Sequence, residues 1–228
     1  MFAEWLHDVG QGKDLPLMHT FVVSPHMVSG PQIADLIQQI YPGFGNAVPT
    51  QDAYFLKRAI LCPRNTEADE INAYILVMHR SFTSKEAGAY QYPVGFSEFH
   101  RDGGLPPAHL EVKAGVPLML LCNLDQSQGL CNGTRLQLVR MQNRVLEVRI
   151  ITGPCAGKIA FIPRITISPS DGDLPFELHR RQFPVCLAFA MTINKAQGQL
   201  LGTVGLDLIP SVWPWSVLCW CIKRGQLE

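Results

Sequence analysis

The chain has 228 residues, with 19 Lys+Arg against 19 Asp+Glu, so its formal net charge is zero with the seven His neutral. Hydrophobic residues make up 47% and charged residues 17%, a balance that excludes wholesale disorder, and the zero charge excludes a protein that coats nucleic acid by overall basicity. The 19 Gly and 17 Pro follow no period, which excludes collagen-like and repeat architectures.

In chain order, Phe2–Leu6 reads as a short helix ending near Gly10 and Gly12, and Phe21–Val23 as a strand. Pro31 is placed to open a helix through Ile33, Leu36, Ile37 and Ile40 that stops at Pro42-Gly43. Tyr54–Cys62 carries the buried-strand run Ala59–Cys62, followed by a turn at Pro63-Arg64-Asn65. A helix follows with Ala68, Ile71, Ile75 and Met78 on one face. Thr66 with Asp69 resembles a capping box, and Asn65 would cap equally well. Strand, polar turn, helix is half of a parallel α/β unit, and ligands bind beyond the carboxyl ends of such strands, where Arg64 and Asn65 fall.

From about Phe96 the texture changes to short strands. Val116–Cys122 is a continuous apolar run. Arg135–Met141 and Arg144–Ile151 flank a Gln142-Asn143 turn, and a further strand lies near Lys158–Ile162. Phe183–Ile193 is again a buried-strand run, closed by the polar loop Asn194–Gly198. The β module therefore reads as an insertion between α/β segments.

Charge is uneven. Between 130 and 195 there are nine Lys/Arg and four Asp/Glu, a balance of +5, which leaves −5 for the remainder. Such asymmetry hints at a polyanion partner. The seven Cys, at 62, 122, 131, 155, 186, 219 and 221, form no Cys-x-x-Cys pair and no zinc-ligand spacing, which predicts reduced thiols, no metal site and an intracellular protein. Met1–Trp5 lacks the basic start of a signal peptide. Leu206–Ile222 is apolar but contains Asp207, Pro210 and Pro214 and is short of the roughly 20 residues of a spanning helix, so no membrane partner is expected.

Two phosphate-loop look-alikes fail. Gly153–Lys158 has the wrong spacing and is followed by Ile159 instead of a hydroxyl, and Gly10–Lys13 is followed by Asp14. Asp69-Glu70 ends no apolar strand, so it is a poor metal-binding acidic pair. No catalytic residue is assigned. The most informative stretch is Arg180–Gln199, where an apolar strand delivers Thr192, Asn194, Lys195 and Gln197 to a strand-end loop and Gly198 allows close backbone approach. Hydroxyl, amide and ammonium donors together suit phosphate oxygens.

Ala190-Met-Thr-Ile-Asn-Lys-Ala-Gln-Gly-Gln199 resembles the fifth helicase motif of the Pif-type DNA helicases, in the branch that includes Helitron transposons. Ile60–Asn72 resembles the family's fourth motif. Gly104–Pro107, Leu118–Asp125 and Gly129–Arg135 resemble its inserted Src-homology-type barrel, and Phe2–Gly10 resembles the exit of its first RecA-like domain. The resemblance runs from about Phe2 to Pro210. It implies an α/β fold: the end of a first RecA-like domain (1–52), the start of a second (53–94), an inserted β-barrel (95–177), the motif-bearing strand and loop of the second domain (178–210) and an atypical tail (211–228).

Functionally, the resemblance implies an ATP-dependent helicase moving 5′ to 3′ on single-stranded DNA, with ATP and Mg between the RecA-like domains. It points to DNA repair, recombination, transposition or telomere maintenance, in the nucleus. Arg64, Asn65, Thr192, Asn194 and Lys195 would contact DNA, while Gln197, Gly198 and Gln199 would couple that contact to the nucleotide. The sequence departs from the family in lacking the phosphate loop and acidic pair, in placing Leu200 where a hydroxyl is usual, and in ending without the arginine motif after Pro210. The expectation is a chain unable to hydrolyse ATP alone, with its missing first domain supplied by another chain. The alternative is a non-catalytic single-stranded-DNA- or protein-binding remnant.

Overall fold

The computed structural model describes residues 29–30, 32–43, 54–55, 57–78, 106, 110–168 and 179–207. The expected elements at Phe2–Leu6 and Phe21–Val23, and the tail after Asp207, lie outside them. Helix α1 spans Ile33–Ile40 and helix α2 Asn65–Met78. The strands are β1 (Arg58–Cys62), β2 (Pro117–Leu120), β3 (Arg135–Met141), β4 (Val145–Ile150), β5 (Ile159–Pro163), β6 (Ile165–Ile167), β7 (Arg180–Gln182), β8 (Val185–Leu187), β9 (Ala190–Thr192) and β10 (Thr203–Leu206).

Three of these make a parallel sheet in the order β10-β1-β9. Its central strand is buried from Ala59 to Cys62, as a strand covered on both faces requires, which is why the sequence shows an unbroken apolar run there. Ile60, Cys62 and Ala190 share a core with Leu36, Ile37 and Ile40 of α1 and with Ala68, Ile71 and Ile75 of α2. Ala59, Leu61 and Met191 instead pack with Met119, Ala188 and Ala196. Helix α1 lies hard against β10: a Cβ on Gly205 would stand 2.8 Å from Ile40 Cγ1 and 3.0 Å from Leu36 Cδ1. Only glycine lets the helix approach that closely.

Helix α2 differs from its expected detail. It begins at Asn65 itself, and the Arg64 N–H donates to Glu67 Oε2 (3.2 Å), a one-way cap from Glu67 in place of the expected Thr66/Asp69 pair. Met78, expected on the buried face, is 44% exposed because the last turn runs past the sheet, and Leu76 is buried in its stead.

The other large sheet is antiparallel, in the order β5-β4-β3-β2-β8, while β6 and β7 pair separately. The β3–β4 hairpin turns at Asn143-Arg144, one residue later than the expected Gln142-Asn143, closed by Gln142 N donating to Val145 O (3.0 Å), and carries a register shift between Leu138 and Arg140. Strands β4 and β5 alternate buried and open residues, the pattern of a sheet with one face on the core.

The Phe183–Ile193 run is not one strand. It breaks at Ala188-Phe189, with β8 in the antiparallel sheet and β9 in the parallel one. Several carbonyls at this crossing accept from side chains. Asn72 Nδ2 donates to Leu187 O (3.4 Å) and Ala190 O (2.9 Å), and Asn72 Oδ1 accepts from Ala190 N (2.9 Å). Arg135 Nη2 donates to Ala188 O (3.2 Å) and to Arg58 O (3.0 Å), and Tyr41 Oη donates to Phe189 O (2.7 Å). Buried backbone groups need partners, and here three distant side chains supply them, Tyr41 as a second donor to Phe189 O, which also accepts from Ile60 N (3.0 Å).

Candidate nucleic-acid interface

Strands β1 and β9 run side by side, with Cys62 opposite Thr192, so their carboxyl ends open onto the same edge. The Ile193 N–H donates to Cys62 O (3.1 Å), carrying the pairing one residue past β9. The chain then turns tightly: Ala196 N donates to Thr192 O (3.1 Å), Gln197 N to Asn194 O (3.2 Å) and Gln199 N to Ala196 O (3.1 Å). Gly198 sits at φ +83, in the left-handed region that favours glycine, and this ends the turn.

The two predicted loops meet here. Lys195 Nζ donates to Asn65 Oδ1 (3.1 Å) across the sheet edge, and the Lys195 N–H is directed at Thr192 Oγ1 (3.4 Å). Asn65, Asn194, Lys195, Gln197 and Gly198 are exposed, as is Arg64, whereas Thr192 is buried. Arg64 lies 3.9 Å from Glu67 Oε1. The edge therefore offers an ammonium, a guanidinium and several amides to solvent. Beneath it lies a cavity of about 10 Å³, lined in part by Asn65, Asn72, Cys186 and Lys195. That is room for about one water molecule, against the 300 Å³ or more of a small-molecule site. The arrangement suits surface contact with an extended polyanion, not enclosure of a small ligand.

Gln199 is directed elsewhere than expected of a nucleotide-coupling group. It is buried, and its Nε2 donates to Gly133 O and to Lys195 O, both at 3.3 Å, tying the loop to the β2–β3 turn. Leu200, next in sequence, is 80% exposed. Sequence reading missed Asn72, Arg135 and Tyr41. Asn72 carried a signal: it lies one turn after Ala68 on the buried face, and a polar residue on a core stripe requires partners. Nothing local marked the other two, whose partners are carbonyls 53 or more residues away.

The thiols of Cys62 and Cys186 are not poised for chemistry. Burial pushes Cys186 up to about 11, with Lys195 opposing, and burial pushes Cys62 up to about 12, reinforced by Asp207 and Glu67. Among the described residues no three His, Cys, Asp or Glu side chains group as metal ligands, and no helix is long and apolar enough to cross a membrane. Gly153–Lys158 joins antiparallel β4 to β5 and no helix follows it, so it does not fit a nucleotide phosphate.

Asp207 closes β10, its N–H donating to Leu61 O (3.0 Å), and its half-buried carboxyl is raised above the usual carboxylate value of 3.8 by burial and then by Glu67. A raised acid binds its proton more tightly folded than unfolded. Its contribution to stability is therefore full below 3.8 and is lost as pH rises from there through the raised value. Asp207→Asn should gain stability relative to the parent as pH rises through that window, read by urea unfolding at several pH values. A pH-independent difference would refute this.

Residues 101–141 match the family described as "DNA helicase Pif1, 2B domain". Over 102 residues the chain is 37% identical to the human ATP-dependent DNA helicase PIF1, covering 43% of this chain and 15% of that protein. Part of this chain is thus similar to the Pif-type DNA helicases. The Trypanosoma brucei brucei ATP-dependent DNA helicase PIF7 is 29% identical over 195 residues, covering 69% of this chain and 18% of that relative. A Bacteroides Pif1 helicase solved with ADP-AlF3 and single-stranded DNA superposes with a TM-score of 0.56 at 18% identity, over 98% of this chain and 46% of that one. That likeness shows a shared fold of mixed α/β type. The chain thus spans under a fifth of the length of these curated relatives.

Proposed function

We infer that this chain is a DNA-contacting portion of a Pif-type helicase, with the Thr192–Gly198 loop and the Arg64-Asn65 turn holding the backbone of single-stranded DNA. The observation that carries the reading is the 3.1 Å contact between Lys195 Nζ and Asn65 Oδ1, since it joins two polar loops at the carboxyl ends of adjacent parallel strands. Asn194, Lys195 and Asn65 supply donors to phosphate oxygens without reading bases. Thr192 lies behind them and orients the loop. In this reading β2 to β5 belong to the inserted small barrel (95–177), and β8 joins their sheet from outside those bounds. Strands β1, β9 and β10 with α2 belong to the second RecA-like domain, and α1, from the segment expected to end the first (1–52), packs on β10 and β1 of that sheet.

In the assembled motor, ATP with Mg binds between the two RecA-like domains, and its hydrolysis moves the strand 5′ to 3′. Gln197 and Gly198 stand in the loop that transmits the change, with Gln199 holding that loop to the β2–β3 turn. This chain alone does not turn over ATP, because its described residues build neither a phosphate cradle nor a nucleotide-sized pocket. The setting is repair, recombination or telomere maintenance in the nucleus. The second reading, a binding remnant of a Helitron-type helicase, is favoured by one observation: Leu200 exposes an apolar side chain where the family has a hydroxyl.

Binding of a fluorescent single-stranded oligonucleotide at two salt concentrations, with ATP turnover read on the same sample, tests both. Salt-sensitive binding without turnover is expected. Lys195→Ala should weaken binding and lower the slope of log affinity against log salt by about 0.7 to 1, one phosphate contact. An unchanged slope would remove Lys195 from the interface, and DNA-stimulated turnover would overturn the inactive reading.

A further inference from the structure

The antiparallel sheet turns Leu136, Leu138, Leu146, Val148 and Ile162 to the core. Its opposite face is set by register: Gln137, Arg149 and Ile159 align across β3, β4 and β5, followed by Arg140, Glu147 and Phe161. The register shift after Leu138 leaves both Val139 and Arg140 open to solvent. Phe161 is 61% exposed, and an outward phenyl ring on an antiparallel strand contributes nothing to the core.

The charge around that ring is one-sided. From Arg140 to Arg164 there are five Lys/Arg (140, 144, 149, 158 and 164) and one acid, Glu147. Arg140 lies 3.1 Å from Glu147 yet keeps its side chain 66% exposed, and Arg144 and Lys158 are exposed. The face also begins beside the polar loop. Gly133, which accepts from Gln199, leads into β3 at the end where Arg135 N donates to Thr152 Oγ1 (3.0 Å), and Lys158 and Ile159 enter β5 at that same end.

We propose that the outer face of β3, β4 and β5 is a second contact for single-stranded nucleic acid, with Phe161 stacking on a base and Arg140, Arg144 and Lys158 meeting phosphates. The proposal rests on the reading of the Thr192–Gly198 loop as a strand-holding loop, from which the same strand continues past Gly133. An apolar protein partner would cover the ring but leave the surrounding cations uncompensated. A single strand supplies both a ring face and negative charge, the pairing that such surfaces use.

The test measures binding of a fluorescent oligothymidylate by the full chain, by Phe161→Ala, by Phe161→Tyr and by Lys195→Ala, and repeats it with an oligonucleotide of abasic sites. Phe161→Ala should weaken oligothymidylate binding about 5-fold or more, the effect of losing one base-stacking ring. Phe161→Tyr should keep the affinity, and the abasic strand should not distinguish Phe161→Ala from the parent. Circular dichroism checks that the exposed substitution leaves the fold intact. If Phe161→Ala binds like the parent while Lys195→Ala does not, this face is refuted and the loop survives. If only Phe161→Ala loses affinity, the face survives and the loop reading falls. Equal weakening on the abasic strand refutes stacking, and no binding by the parent refutes both sites.

Discussion

Replacing Asn72 by Leu should lower the stability of the chain by about 3 kcal/mol, the cost of two buried backbone groups left unpaired at about 1–3 kcal/mol each. Leu fills nearly the same volume, so the loss comes from hydrogen bonding and not from a cavity. The groups in question are the N–H and C=O of Ala190, each 2.9 Å from the Asn72 amide. Ala190 cannot find substitutes, because it is the first residue of β9 and both it and Asn72 are buried. At about 2–4 °C per kcal/mol for a chain of this size, the melting temperature should fall by about 6–12 °C, read by circular dichroism. Thr192 lies two residues further along β9, so oligonucleotide affinity should fall with it. A shift under 2 °C would mean that the crossing does not depend on this amide.

The second large effect is at Arg135, which has no solvent exposure and donates through Nη2 to the carbonyls of Arg58 and Ala188. Two of its guanidinium nitrogens, Nε and Nη1, have no hydrogen-bond partner, and burial lowers its affinity for the proton while Tyr41 opposes this. Two opposing quantities decide the outcome. Truncation to Ala removes a fully buried stem and leaves a cavity, which costs about 2–5 kcal/mol for large core side chains. Removal of an uncompensated buried charge returns several kcal/mol, as replacing buried ions by apolar residues shows. Arg135→Met keeps the stem and loses the charge, so it should sit within about 1.5 kcal/mol of the parent, as volume-conserving core changes do. Arg135→Ala should be clearly worse than Met. Urea unfolding of the two variants checks the order, and Met falling as far as Ala would show that the hydrogen bonds to Arg58 O and Ala188 O dominate.

Much of this architecture was legible before any coordinates. The apolar run at Ala59–Cys62 and the 3.6-residue spacing of Ala68, Ile71 and Ile75 are local patterns that appear where expected, and the β3–β4 hairpin turns one residue beyond the expected Gln142-Asn143. The polar strand-end loops at Asn65 and Lys195 were legible for the same reason, because strand, turn and helix follow one another in the chain. Their meeting was not. Asn65 and Lys195 lie 130 residues apart, and only parallel pairing of β1 with β9 brings them to one edge.

The Phe183–Ile193 run marks the boundary between the two kinds of information. Periodicity reports that these residues are buried, and they are, but it is silent about which sheet buries them. The break at Ala188-Phe189 is set by partners far away: Arg135 on β3, Tyr41 beyond α1 and Asn72 in α2. Local composition thus decided which segments are strands, helices and exposed donors, because backbone propensity and amphipathic spacing act within a few residues. Tertiary structure decided where the chain changes sheets, which side chains close the carbonyls exposed there, and that Gln199 faces the β2–β3 turn. Those outcomes depend on satisfying buried polar groups, and the partners that satisfy them are neighbours in space alone.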